Sequence, residues 1–240
     1  MKVVMRGISR GELSGTTLIT GFRGFGMVGY MASKHLALAL EARKIGYILV
    51  DLMPPFIAVE EDGLGYPFDI YYSDKAKSTI IVNRALPERE FIDYYTRSLA
   101  RWASKIGFNY AILLGGLSRD FKPPNDPHGY RWLYNRHYKG PILEAPLLEI
   151  GLGVMGPLAS LYMYLDYEEV PSIMILPYSM VEGVDYDASL LAVKIVSRKL
   201  LEVDVRLAEL ETLARTQKAE VERMISMIER EERESKGIFM

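Results

Sequence analysis

Thr17-Leu18-Ile19-Thr20-Gly21-Phe22-Arg23-Gly24-Phe25-Gly26-Met27-Val28-Gly29 sets four strand-favouring residues before a glycine-dense turn, and the turn before a helical pattern. Strand, tight turn and helix in that order form the first half of a βαβ unit. The helix is expected over Met27–Lys44, with Val28, Met31, Leu36, Ala39 and Leu40 on its apolar stripe and Gly46 beyond its end. Tyr47-Ile48-Leu49-Val50-Asp51 then reads as a short buried strand of the parallel type.

Upstream, Val3-Val4-Met5 predicts another strand, separated from the first by a turn over Gly11–Gly15. Downstream, Phe56–Val59, Phe68–Tyr72 and Thr79–Asn83 are strand candidates, the first two placed for a hairpin around Glu61-Asp62-Gly63. Pro87 suits the first position of a helix running through Phe91, Leu99 and Trp102 to Gly107. A strand follows at Tyr110–Leu114, a helix at Met155–Leu165, a strand at Ser172–Leu176 and a helix at Ala188–Leu201. This alternation predicts an α/β fold whose mostly parallel sheet is covered on both faces.

At about 150 residues per domain, 240 residues imply one sizeable domain with an appendage. The boundaries fall at 1–202 for the α/β domain, 203–236 for a long amphipathic helix and 237–240 for a terminal tail. The helical stripe runs through Leu207, Leu210, Leu213/Ala214, Val221, Met224/Ile225 and Ile228, with Gln217 interrupting it. Ten acids and seven bases between Glu202 and Lys236 give that segment −3, which leaves +1 on the body of a chain whose net charge is −2. Near-neutrality argues against a general nucleic-acid binder. The absence of cysteine excludes thiol catalysis and thiolate metal sites and fits a cytoplasmic setting. No run of about 18 apolar residues predicts a membrane span.

Five motifs offer chemistry. Gly24-Phe25-Gly26-Met27-Val28-Gly29 fits G-x-G-x-x-G, with Asp51 twenty-two residues beyond Gly29 where a ribose-binding acid would sit. This gives the alternative reading of a nucleotide-binding enzyme using Gly24, Gly26, Gly29 and Asp51. Against it, Gly21-Phe22-Arg23 intervenes between strand and motif, and glycines also serve close helix–sheet packing. Gly7-Ile8-Ser9-Arg10-Gly11 matches G-x-S-x-G, but a strand is expected after it rather than the helix a nucleophile elbow needs. His128 and His137, nine apart, do not make a zinc pair. Residues 119–139 hold five bases, two acids and five aromatics. They read as a long loop serving as a lid or subunit contact in preference to a nucleic-acid platform.

The fifth is the terminal Ile238-Phe239-Met240 behind Gly237. Exposed Ile and Phe invite aggregation, so such a triplet at a free end reads as a docking tail, its ring filling a slot and its carboxylate meeting a lysine or backbone amides.

Taken together, Gly21–Gly29, Gly153-Val154-Met155-Gly156, Val184-Asp185-Tyr186-Asp187-Ala188-Ser189 and Leu200-Leu201-Glu202-Val203-Asp204 resemble the proteasome assembly chaperone 2 family in its archaeal branch, over about residues 15–230. The resemblance implies a three-layer, nucleoside-phosphorylase-like α/β domain without an established catalytic activity and without a cofactor. It also implies a homo-oligomer that engages the α-ring of the proteasome core particle. In members carrying a hydrophobic–tyrosine–any tail, the tail enters pockets between α subunits. Ile238, Phe239 and Met240 would take those three positions as partner-binding residues, with phenylalanine keeping the ring and losing the hydroxyl.

Overall fold

The central strands are buried at every position because helices cover both of their faces. Ile19, Ile112, Leu114, Ile173 and Ile175 point into one core, and Leu18, Ala111, Leu113, Met174 and Leu176 into the other. The fold, a computed structural model, describes residues 1–60 and 63–219.

Strands β1 (Lys2–Met5), β2 (Thr17–Gly21), β3 (Arg43–Leu49), β6 (Phe68–Ser73), β7 (Ser78–Asn83), β8 (Tyr110–Leu114), β9 (Leu117–Ser118), β10 (Tyr130–Tyr134) and β11 (Ser172–Ser179) build the main sheet. Its order is β1-β3-β6-β7-β2-β8-β11-β10, with β9 beside the end of β11. The centre, β7-β2-β8-β11, is parallel. The flanks are antiparallel. The hairpin β4 (Ala58–Glu60) and β5 (Gly63–Gly65) stands apart as a second sheet. Helices α2 (Val28–Ala39) and α5 (Tyr186–Ile195) cover one face. On the other lie the short α1 (Arg10–Leu13), α3 (Ile92–Ile106) and α4 (Pro157–Tyr167). This is the expected three-layer α/β arrangement. Among the described residues no helix is long and apolar enough to cross a membrane.

Several local expectations are corrected. α2 stops at Ala39, not Lys44, because Glu41 turns left-handed (φ 52°). The Ala42 N–H then reaches the Ala37 carbonyl, and the Glu41 N–H the Leu38 carbonyl. That is a Schellman closure built without its usual glycine. β3 accordingly starts at Arg43, and it pairs antiparallel with β1 and β6 rather than lying in a parallel ladder. The hairpin partner of Phe68–Tyr72 is β7, and Ala58–Glu60 pairs instead with Gly63–Gly65. α3 opens at Ile92 after a 3-10 turn over Arg89–Phe91, not at Pro87.

The supposed loop 119–139 contains β10, whose Tyr130 and Trp132 are core residues. Its outer edge is closed by the bridge from Trp132 to Leu147. The long helix is not continuous from 203: residues 201–207 are non-helical and a helix, α6, runs over 208–219. Leu210 and Ala214 are buried against the domain. The remainder of that segment and the tail 237–240 lie outside the described residues.

Candidate functional site

In open α/β sheets, ligands favour the carboxyl ends of the parallel strands, and the glycine-rich turn sits there. β2 ends at Gly21, and residues Phe25–Met27 form a 3-10 turn that leads into α2. Gly26 (φ 56°) and Met27 (φ 50°) are both left-handed, a conformation that glycine adopts freely and methionine does not.

The space that Gly26 and Gly29 leave is taken by the chain itself. A Cβ on Gly29 would stand 2.3 Å from the Leu114 carbonyl oxygen and 2.6 Å from that of Phe22. One on Gly26 would stand 2.7 Å from Asp185 Cβ and 3.0 Å from Ser179 Cβ. A Cβ on Gly24 would meet nothing within 4 Å. Backbone thus packs helix to sheet where a pyrophosphate would need to approach, and a carboxylate, the wrong sign for phosphate, stands beside the turn.

Asp185 is the hub of this corner. Only 2% exposed, it caps α5 by accepting from the Ala188 N–H at 3.0 Å. Its other oxygen accepts from the Met180 N–H at 3.0 Å and from Arg119 Nη2 at 2.8 Å. Its own N–H donates to the Gly26 carbonyl at 2.9 Å. One residue, Asp185, therefore joins the end of β11, the start of α5, the turn after β9 and the glycine turn. Gln217 of α6 completes the corner: Oε1 accepts from the Tyr186 N–H at 3.0 Å, and Nε2 donates to the Val184 carbonyl. The residue that interrupts the apolar stripe is thus a tether to the backbone on either side of Asp185.

Asp51 is not brought to this corner. It is exposed after β3, and two strands, β6 and β7, separate β3 from β2. At about 4.8 Å per strand, a ribose held at Gly24, Gly26 and Gly29 is out of its reach. The nucleotide-enzyme reading fails on that separation and on the filled turn. Ser9 is likewise a helix cap: its Oγ accepts from the Glu12 N–H, and Glu12 Oε2 accepts from the Ser9 N–H at 2.8 Å. This capping box explains G-x-S-x-G without a nucleophile. His137 Nε2 accepts from Arg136 Nε at 3.1 Å. Among the described residues no group of three or more His, Asp or Glu is placed to hold a metal.

Two arginines are buried among the described residues: Arg84, which carried no mark in the sequence, and Arg131, one of the five bases of 119–139. Arg84, 2% exposed, donates to Asp69 Oδ2 (2.6 Å), Glu60 Oε1 (3.1 Å) and the Tyr71 hydroxyl (2.9 Å). Lys44 shares Asp69 Oδ2 at 2.7 Å, and Lys34 meets Glu60 Oε2 at 2.6 Å. Burial pushes Asp69 up, and its cationic partners do not fully offset it. Burial also acts upward on Glu60, but Lys34 and Arg84 outweigh it and hold the carboxyl below the usual range. The cluster fastens the β4–β5 hairpin to the sheet and contains no nucleophile–base pair. Arg131 is paired with Asp126 (2.9 Å) and Glu149 (2.5 Å), so this base of the 119–139 segment is spoken for inside the fold. No signal separates such buried arginines from surface ones in a single sequence.

Ile238, Phe239 and Met240 fall outside the described residues, so the proposed docking triplet has no geometry to report.

Comparison with known proteins follows the fold. A Pyrococcus furiosus structure, PbaA, titled an archaeal homolog of proteasome-assembly chaperone, superposes with a TM-score of 0.75 at 19% identity, covering 98% of this chain and 95% of that one. Pyrococcus furiosus PbaB, titled an archaeal proteasome activator, gives 0.72 at 16% identity, covering 94% and 98%. A Thermoplasma acidophilum protein titled as of unknown function gives 0.68 at 13%, covering 95% and 93%. No curated protein matches the sequence. The PAC2 family matches residues 18–225, which takes in the glycine turn, Asp185 and Gln217. On that match the chain belongs to the PAC2 family.

Proposed function

We propose that this protein is a non-catalytic, homo-oligomeric chaperone or regulator of the proteasome, and that it binds the α-ring of the core particle through Ile238-Phe239-Met240. The observation that carries the reading is the PAC2 match over residues 18–225, on a chain sharing its whole fold with a proteasome-assembly-chaperone homolog and a proteasome activator. The packed glycine turn supports a scaffold role for the corner where an enzyme of this class would hold its ligand.

Surface apolarity supports assembly of several copies. Ile142, Leu147, Ile150 and Met155 are exposed in the segment after β10, and α4 exposes Met163 and Tyr167 one turn apart. Exposed apolar groups in such number mark contact surfaces. A three-residue tail buries little surface and loses ordering entropy on docking. Several tails on one oligomer convert later dockings into intramolecular events, raising avidity by about 10²–10⁴ where the spacing matches.

The test is co-elution with native core particle of the full-length chain and of a chain lacking Ile238–Met240. Loss of co-elution, with the oligomer intact by light scattering, is the expected result. Undiminished binding by the truncated chain refutes tail docking.

A further inference from the structure

Among the described residues β1 is the terminal strand of the sheet, paired on one side only. Its register with β3 is Lys2↔Leu49, Val3↔Ile48, Val4↔Tyr47 and Met5↔Gly46. The Arg6 N–H donates to the Ile45 carbonyl at 2.7 Å. Main-chain groups of an antiparallel strand alternate between its two edges. Lys2, Val4 and Arg6 therefore face β3, and the N–H and C=O of Val3 and Met5 face outward.

Against that open edge lies a groove of about 540 Å³ between β1, α1 and α3, lined by Lys2, Val3, Arg10, Arg101, Trp102 and Lys105 among others. Lys2 and Val3 of β1 both line it, at the start of the strand. Its lining contains four basic side chains and no acidic one. Arg101 meets Glu168 Oε1 at 3.4 Å. Among the described residues, Lys2, Arg10 and Lys105 make no ion pair. Trp102, 8% exposed, carries an indole N–H that is buried without an acceptor among the described residues.

We propose that this edge is a docking site for an extended acidic segment of a partner protein, which adds to the sheet beside β1. Main-chain bonds to Val3 and Met5 would supply registry, and carboxylates at alternate positions, about 6.8 Å apart, would meet the bases of α1 and α3. The chemistry separates this occupant from two others. A second copy pairing β1 with β1 would set the two cationic rows against each other. A nucleic acid brings phosphate acceptors for the outward N–H groups and leaves the Val3 and Met5 carbonyls unmet, whereas a peptide ladder satisfies both. The inference does not rest on the tail reading.

The probe is a fluorescently labelled peptide of eight residues alternating Glu and Thr, followed by anisotropy with the full-length protein. Binding that weakens as salt rises, and no comparable binding of the Lys–Thr counterpart, is expected. Lys105→Glu should lower affinity at least about tenfold. Val3→Pro should abolish binding while leaving the β1–β3 ladder whole, because the N–H it removes faces outward. Amide exchange on the unmodified protein provides a check free of any folding defect: peptide should slow Val3 and Met5 and leave Val4 unchanged. No binding, equal binding of the basic peptide, or unprotected Val3 and Met5 amides overturns the proposal. So does oligothymidylate that binds as tightly as the acidic peptide and survives Val3→Pro, which would make the groove a nucleic-acid surface.

Discussion

At Gly29 a single hydrogen in place of a methyl group decides how closely α2 can lie on β8. The 2.3 Å approach to the Leu114 oxygen leaves no room for a Cβ, and the obstacle is backbone, which yields poorly. Gly29→Ala is therefore expected to cost about 1–3 kcal/mol, in the range for overpacked positions, read as a lower urea midpoint. Asp185→Ala removes a helix cap and leaves the Met180 N–H without its acceptor, for a loss of about 1–3 kcal/mol. Carboxylates also set the response to acid. Against the upward push of burial, Glu60 is held below 4.5 by Lys34 and Arg84, and Asp126 below 3.8 by the Gly129 N–H and Arg131. A depressed folded pKa means that the unfolded chain binds more protons. Stability present above about pH 4.5 should accordingly fall as the pH drops through these values, and Asp69, shifted upward, should oppose part of the fall. Urea midpoints between pH 6 and pH 3 check this, and Glu60→Gln should flatten the slope.

At the scale of elements, α6 is the instructive case. Its Gln217 binds the backbone at Val184 and Tyr186, and so couples the first turns of the C-terminal segment to the Asp185 corner. Gln217→Ala should speed amide exchange across 208–219 with little change in the exchange of β2 and β8; uniform protection in the variant would remove the tether from the account. Elements with strong periodicity or a clear breaker were legible in the sequence: β2, β8 and α3's stop at Gly107 follow from apolar runs and glycine. α2's end was not, because the left-handed stop is Glu41, which carries no such mark. β10 was hidden because Tyr130, Trp132 and Arg131 look like surface chemistry until Asp126 and Glu149 are seen to neutralise the arginine. The antiparallel flanks were unreadable for a related reason. A run such as Tyr47–Val50 is apolar in either kind of ladder, and pairing is settled by strands distant in sequence.

For the whole molecule, the glycine turn is where pattern and function part. G-x-G-x-x-G encodes a close helix–sheet crossing, and whether phosphate also enters depends on what else fills the corner; here Asp185 and Ser179 do. Nucleotides and dinucleotides should thus leave Tm unchanged, where a ligand at a hundred times its Kd would add about 2.7 kcal/mol. The tail's reading came from residue type and family resemblance alone. Phe239→Ala should weaken core-particle binding by about 1–3 kcal/mol per tail, and Phe239→Tyr should hold or strengthen it. The most direct measurement is a cryo-electron-microscopy map of the oligomer on the core particle. Density for Ile238, Phe239 and Met240 is expected inside pockets between neighbouring α subunits. Density placing those three side chains against their own protomer would contradict tail docking.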